Sequence, residues 1–376
     1  MKKALCIATA GKGGQDELRV YRLTNMIRDV EFSYHFIDKK NSKISEMKKV
    51  FSVVNSNDWD LVYQEGTGIA SGFALILASY TKKQRYIVSS GDPIAGFFRT
   101  TKGRLLGNLL GIYETLLYER SAGFVGWTPY LTGVSIYLGA KKAVTVEGGV
   151  DTKIFRSYSC DKKRDIRSKY GLDPNHLVVG IVGSLIWVPP QSYCYGYELT
   201  ETLKQVKRDD VSILVVGDGD GKERLERSLP AHLKKRAVFT GRIPEFEVVD
   251  AMNAMDIGFV TLFGEMGNYR LTTKLPEYLA CGTPIAMNPT AAFYDYAAEA
   301  GWPLPDNHPS DPAFHRQCAE WLDQLSKEEI DTKAQKTALV VNKFFDYSVI
   351  GPKFEKFVHT LLRNGESDFS NERETL

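Results

Sequence analysis

Leu271-Thr-Thr-Lys-Leu-Pro-Glu-Tyr-Leu-Ala-Cys-Gly-Thr-Pro-Ile-Ala286 is the stretch that decides how the rest of this 376-residue chain is read. It reads as a polar loop, a two-turn helix over 273–281, a Gly-Thr-Pro stop and a buried strand. The loop leaves unpaired backbone N–H groups at a helix N-terminus, an arrangement that attracts anions. Lys274 adds a positive charge, and Glu277 follows one turn later on the same helix face. These residue types suit a diphosphate on the N–H groups and the lysine, with a ribose on the carboxylate.

Outward from this stretch, short apolar runs alternate with helix-period segments. Strands are expected at 4–9, 32–37, 61–63, 86–89, 123–127 and 143–147, then at 178–182, 212–216, 237–240, 257–261 and 284–287. Helices are expected near 16–29, 43–54, 69–80, 101–119 and 129–138, then near 198–207, 220–228, 245–254, 273–281 and 312–325. Strands separated by helices imply parallel sheets with crossover connections, hence α/β architecture. The length exceeds one ordinary core, so two domains of about 150–200 residues are expected. Their join falls at Gly148-Gly149-Val150-Asp151, followed by a polar stretch from Ser157 to Arg167. The last segment, 349–363, repeats apolar residues at helical spacing, and the tail 364–376 reads as polar and frayed.

Hydrophobic residues make up 43% of the chain and charged residues 25%, with a net charge of +2, so no concentrated basic face argues for nucleic acid. The five cysteines are scattered, without a CxxC pair, which points to a reducing, cytoplasmic compartment and away from a zinc site. The N-terminal apolar run is too short for a signal peptide. None of the apolar stretches approaches the ~20 residues of a membrane span. Neither do the histidines form a metal or triad spacing; His232 and His308 read as surface residues in polar surroundings.

Ligands collect at the carboxyl ends of parallel strands, and every informative loop here follows a strand. Ala10-Gly-Lys-Gly-Gly-Gln-Asp16 is neither a Walker A loop nor GxGxxG. It reads either as a tight strand-to-helix turn or as a loop lining a ligand cleft. Asp92, in Gly91-Asp92-Pro93, reads either as a contact to a sugar hydroxyl or acceptor, or as a helix N-cap or Asx-turn before Pro93. Gly183 and Ser184 follow a strand where N–H groups can meet a phosphate. Asp218-Gly-Asp220 has the look of a metal-holding acidic pair, but without a third carboxylate at ligand spacing it reads as a turn, and no metal is assigned. Arg242 and Ile243 lie at a glycine-permitted turn whose backbone can read a base edge. The 99–119 segment, with Arg99, Lys102 and Arg104 ahead of a leucine stripe, reads either as a helix packed on the sheet or as a basic amphipathic helix on a bilayer, a peripheral contact at the inner membrane face.

Taken in order, Glu147-Gly-Gly-Val-Asp151, Val182-Gly-Ser184, Val215-Val-Gly-Asp-Gly219, Phe239-Thr-Gly241 and Thr273-Lys-Leu-Pro-Glu-Tyr-Leu-Ala-Cys-Gly-Thr-Pro284 resemble the retaining family-4 (group 1) glycosyltransferases of GT-B architecture. The resemblance implies two Rossmann-like domains facing across a cleft. An acceptor domain (1–150) and a nucleotide-sugar domain (151–345) would be followed by a C-terminal helix and tail (346–376) crossing back onto the first domain. It implies a UDP- or GDP-sugar donor, a glycan, lipid-linked or small-molecule acceptor, and no required metal or other cofactor. On that resemblance Glu277 meets the donor ribose, and Leu271, Thr272 and Thr273 meet diphosphate and sugar. Gly183 and Ser184 form the phosphate turn, Arg242 and Ile243 contact the base, and Gly13 and Gly14 lie over the phosphates. Three departures stand out. The position of a second glutamate is Tyr269, with Glu265 out of register. Residues 185–196 lack the usual Arg and Lys, which leaves the diphosphate charge to Lys274, Arg270, helix N-termini or a residue the sequence does not identify. Gly91-Asp92 also stands where a histidine is usual. Lys274 and Asp92 are therefore the catalytic candidates. A nucleotide-sugar 2-epimerase and a non-catalytic nucleotide-sugar-binding protein are the competing readings.

Overall fold

The computed structural model describes residues 1–267 and 270–371, so Tyr269, the position of the absent second glutamate, lies outside the described residues. Two compact units are present. One holds Met1–Gly149, residues 270–271 and the last helix; the other holds residues 150–267 and 272–346.

In the first unit, strands β1 (Lys2–Ala8), β2 (Val30–Phe36), β3 (Leu61–Glu65), β4 (Tyr86–Ser90), β5 (Gly123–Gly126) and β6 (Ala143–Thr145) alternate with helices α1 (Gln15–Thr24), α2 (Lys43–Asn55), α3 (Ile69–Thr81), α4 (Ile94–Lys102), α5 (Arg104–Glu119) and α6 (Pro129–Tyr137). The strands form one parallel sheet in the order β2-β1-β3-β4-β5-β6. Period-2 alternation splits β1 between two cores. Leu5 and Ile7 join the cluster with Val62, Val88 and Leu117. Ala4 and Cys6 join the opposite one, which is closed by Phe354, Val358 and Leu361 of the last helix. A helix from the chain's far end thus joins α1, through Val20 and Leu23, in covering one sheet face.

In the second unit, α7 (Cys160–Lys169) precedes β7 (Leu177–Val182). Then come α8 (Tyr197–Leu203), β8 (Val211–Val216), α9 (Gly221–Ser228), β9 (Ala237–Gly241), α10 (Glu245–Ala254), β10 (Ile257–Val260), α11 (Gly264–Gly267), α12 (Lys274–Ala280), β11 (Ile285–Met287), β12 (Gly301–Pro303), α13 (Pro312–Gln324) and α14 (Lys327–Phe344). Its parallel sheet runs β12-β11-β10-β7-β8-β9 around a core that includes Val179, Ile213, Phe259 and Phe314. The final helix, α15 (Tyr347–Asn371), belongs to the first unit.

Several elements depart from the sequence reading. The polar stretch 157–167 holds most of α7, which runs on to Lys169 and is started by the Ser159 hydroxyl accepting from Lys162 N. Its few apolar residues hid the helical period. Helix 101–119 is two helices broken at Gly103, whose φ of +99° an L side chain rarely adopts. β12 is only three residues long, and α14 opens with a Ser326/Glu329 capping box. The last helix continues to Asn371, beyond the end expected at residue 363.

Candidate functional site

Strand order locates the loops that can bind a ligand. In the second sheet the chain moves from β7 to β8 and β9 on one side, then returns to β10, β11 and β12 on the other. The reversal lies between β7 and β10, and a crevice opens at the carboxyl ends of strands where order reverses. Gly183 and Ser184 follow β7 directly, so they stand at that point.

The glycine of the β7 turn makes room for neighbouring side chains. Gly183 N already donates to Val216 O at 2.9 Å, Leu185 N to Asp218 O at 3.0 Å, and Trp187 N to Asp220 Oδ1 at 2.7 Å. Gly183 therefore does not offer its N–H to a phosphate, as the sequence reading had it. A Cβ on Gly183 would lie 2.7 Å from the Tyr195 ring and 2.9 Å from Lys274 Nζ. Gly183 clears the space that these two groups fill, and Ser184 beside it is exposed.

Lys274 reaches this turn because α12 is fastened to β7. The buried Tyr278 hydroxyl accepts from Val182 N at 2.9 Å, and the Tyr278 ring fills the space a Cβ on Gly258 would need. Lys274, one turn earlier on the same face, is thereby held with Nζ 4.1 Å from the Tyr195 ring centroid. Glu277, half-buried, lies on the helix between them in sequence. Thr272 and Thr273 start the helix through Leu275 N→Thr272 O and Glu277 N→Thr273 O, both 3.2 Å. The helix ends at Gly282, whose φ is +74°, and Thr283 Oγ1 donates to Met252 O at 2.8 Å. The diagnostic stretch is therefore a rigid bracket that aims one ammonium group at the β7 turn.

Asp218 and Asp220 serve the turn. Asp220 accepts from Trp187 N, and Asp218 Oδ1 accepts from Gly219 N at 3.0 Å. A Cβ on Gly217 would fall 1.7 Å from Gly183 O, and one on Gly219 2.4 Å from Leu185 C. The Gly-Asp-Gly pattern lets two loops touch. Among the described residues no cluster of three His, Cys, Asp or Glu side chains is placed to hold a metal ion. Arg242 and Ile243 follow β9, two strands along from β7, with Arg242 exposed.

A buried polar cluster beneath the turn was missed in the sequence. Glu198 Oε1 accepts from Tyr193 Oη at 2.9 Å and from Thr261 Oγ1 at 3.0 Å, while Oε2 has no hydrogen-bond partner. Burial pushes this carboxyl up to about 7. The cluster joins the 183–197 loop to the end of β10. His308 packs its ring 4.3 Å from Phe263 and 5.8 Å from Tyr193 while its Nδ1 pairs with Ser310 Oγ at 2.7 Å, so the polar surroundings expected of it are only one side of its environment. Its tyrosine and phenylalanine neighbours are distant in sequence, so no local signal announced this. Burial lowers its pKa.

In the first unit the order reverses between β1 and β3. The loop after β1 carries Gly13, with φ +77° and nothing within 4 Å of an added Cβ, so its backbone angle, not crowding, calls for glycine. Gly13 N donates to Glu17 Oε2, and Gly14 precedes α1. Asp16 Oδ2 ties the loop down by accepting from Thr9 Oγ1 at 2.9 Å and Ala10 N at 2.7 Å.

Asp92 is not an N-cap: it forms an ion pair with Arg270, Nε to Oδ1 at 2.9 Å, without hydrogen-bond alignment. Burial raises its pKa, and the Arg270 charge opposes the rise. The charge of Arg270 is thus already matched by a carboxylate. Leu271 is buried, with a methyl 3.4 Å from where a Cβ on Gly148 would be.

The same unit hides an ionic network at its strand ends. Arg19 donates to Glu65 Oε2 at 3.2 Å and to the carbonyls of Glu147 and Val146 at 2.7 Å. Glu65 also accepts from the Tyr63 hydroxyl, from Ser89 Oγ at 2.8 Å and from Trp127 Nε1 at 3.2 Å. Lys353 of α15 pairs with Glu147 at 2.9 Å. Arg19 shares an amphipathic helix with Arg22, and nothing in its spacing gave a sign of this burial.

Residues 176–323 match a family model described as Glycosyl transferases group 1. Over 193 residues, 50% of this chain, the sequence is 27% identical to the 2-deoxystreptamine glucosyltransferase of Streptomyces kanamyceticus; the match spans 48% of that protein, about half its length. Among solved structures, Anabaena HepE in complex with UDP-glucose superposes with a TM-score of 0.71 at 16% identity, over 96% of this chain and 100% of that one. Sucrose-phosphate synthase from Thermosynechococcus elongatus gives 0.74 at 14% identity, over 97% and 100%. At these identities the likeness is one of fold. It covers nearly the whole chain, and the fold is that of the GT-B glycosyltransferases.

Proposed function

We propose that this chain, whose residues 176–323 carry a group 1 glycosyl transferase segment on a GT-B fold, is a glycosyltransferase that moves a hexose from a uridine diphosphate donor to an acceptor hydroxyl, with retention and without a bound metal. One observation carries the reading: Lys274 is held against Tyr195 and over the β7 turn, at the point where strand order reverses. The uridine preference follows from the Anabaena protein, whose structures contain UDP and UDP-glucose.

The second unit takes the donor. Lys274 and Ser184 meet the diphosphate, Glu277 and Thr273 the ribose and sugar, and the backbone at Arg242 and Ile243 the base. Adjacent strands are about 4.8 Å apart, so the loops after β7 and β9 are separated by roughly 10 Å, enough to lay the nucleoside between them. The loop through Gly13 and Gly14 lies over the phosphates, and Asp92 serves the acceptor side.

In the transfer, the bond from the anomeric carbon to the diphosphate oxygen breaks and negative charge grows on that oxygen. A preorganised cation lowers the energy of that charge more than that of the intact donor. The acceptor oxygen bonds to the anomeric carbon on the face the diphosphate leaves, and its proton passes to the departing phosphate. No carboxylate is needed as a nucleophile on this path.

Calorimetry with UDP, GDP and their glucose conjugates tests the reading. UDP should bind the wild-type chain, and Lys274→Ala should weaken it by about 2 kcal/mol, the usual worth of a charge-assisted hydrogen bond. Glu277→Ala should weaken UDP while leaving inorganic diphosphate unaffected. Unchanged UDP affinity in both variants would remove the assignment. Turnover without any acceptor, yielding an epimerised sugar nucleotide, would favour an epimerase, and binding without turnover a non-catalytic protein.

A further inference from the structure

The α4–α5 hairpin is a built surface that the donor site does not use. Glu114 of α5 accepts from Ile94 N at 3.1 Å and Ala95 N at 3.3 Å, closing the start of α4. A Cβ on Gly107 would lie 2.6 Å from Arg99 Cβ, so the helices touch there. The inner face of α5 buries Leu110, Tyr113 and Leu117 on the sheet. The outer face is apolar as well. Leu105, Leu109 and Ile112, at i, i+4 and i+7, are 79%, 56% and 68% exposed. The neighbouring helix α3 has a parallel stripe: Phe73 and Leu77 are exposed, and the Phe73 ring lies 4.8 Å from Tyr113.

An apolar stripe in water is unfavourable, and a contiguous one marks a surface that is covered in use. Charge selects among covers. From Pro93 to Tyr113 the sequence has Arg99, Lys102 and Arg104 and no Asp or Glu. Lys102 and Arg104 are exposed at the hairpin bend beside Leu105. A basic rim bordering leucine and isoleucine matches an anionic headgroup layer above acyl chains. We propose that the chain docks peripherally on an anionic lipid bilayer through the outer face of α5, with Lys102 and Arg104 at the headgroups and Leu105, Leu109 and Ile112 below them. The proposal is independent of the donor assignment.

Co-sedimentation of the full chain with vesicles tests it, using phosphatidylcholine alone or with about one third phosphatidylglycerol. The expected result is binding to the anionic vesicles only, weakened by salt. Each basic residue near such a surface contributes about fivefold, so Lys102→Ser/Arg104→Ser should lower partitioning roughly 25-fold. Leu105→Asn/Ile112→Asn should lower it at least about tenfold, with far-UV circular dichroism and melting temperature unchanged, since both sites are exposed. Absence of vesicle binding by the wild-type chain, or partitioning unaffected by both double variants, would overturn the proposal. So would a dimer in sedimentation velocity that Leu105→Asn/Ile112→Asn converts to monomer, because a second copy would then be the cover.

Discussion

Glu198→Gln should stabilise the second unit, and do so only on the alkaline side. The wild-type carboxyl is fully buried, accepts two hydroxyl hydrogen bonds on Oε1 and has an unpartnered Oε2. Burial raises it from 4.5 to about 7, so the folded chain prefers the protonated form. A raised folded pKa gives stability that is complete below the unfolded value and is lost as pH climbs through the folded one. The interval is about 2.5 units at 1.36 kcal/mol each, or roughly 3 kcal/mol lost by pH 8.5. Glutamine keeps the Oε1 acceptor for Tyr193 and Thr261 and has no charge to bury. Chemical denaturation of both proteins, following the second unit, should show a variant more stable by about 3 kcal/mol at pH 8.5 and by less than about 1 kcal/mol at pH 5. An equal difference at both pH values, of either sign, would show that ionisation of Glu198 is not the cause.

Other outcomes follow from the same geometry. Arg19→Met leaves Glu65 charged and buried and two carbonyls without a donor, so unfolding free energy should fall by about 3–5 kcal/mol. Adding Glu65→Gln should recover part of that loss in the same denaturation assay, whereas a double variant no better than the single one would argue against the ionic explanation. Gly217→Ala places a methyl 1.7 Å from Gly183 O, so thermal melting should drop and UDP affinity should fall with it, in contrast to Lys274→Ala, which should alter affinity alone. Sugar transfer should persist in excess EDTA; complete loss restored by Mn²⁺ or Mg²⁺ would refute the metal-independent path.

Much of the α/β architecture was legible in the chain because it is local. β-branched runs such as Leu177–Val182 and Val211–Val216 are buried on both faces only in a parallel sheet, and Gly282 and Pro284 mark where α12 must end. Of what escaped reading, α7 and α14 are mostly polar and carry too little apolar period, and the break at Gly103 depends on one backbone angle.

The candidate site divides along the same line. The sequence alone determined that Lys274 and Glu277 share one helix face, and that glycine-rich turns follow the strands, since both are matters of spacing. Only the tertiary structure decided that Lys274 meets Tyr195 and the Gly183 turn, that Arg270 is held by Asp92, and that Glu198 and Arg19 are buried. Those contacts join segments far apart in the chain. Their distances are set by strand order and by the fastening of Tyr278 to Val182, which no local pattern encodes.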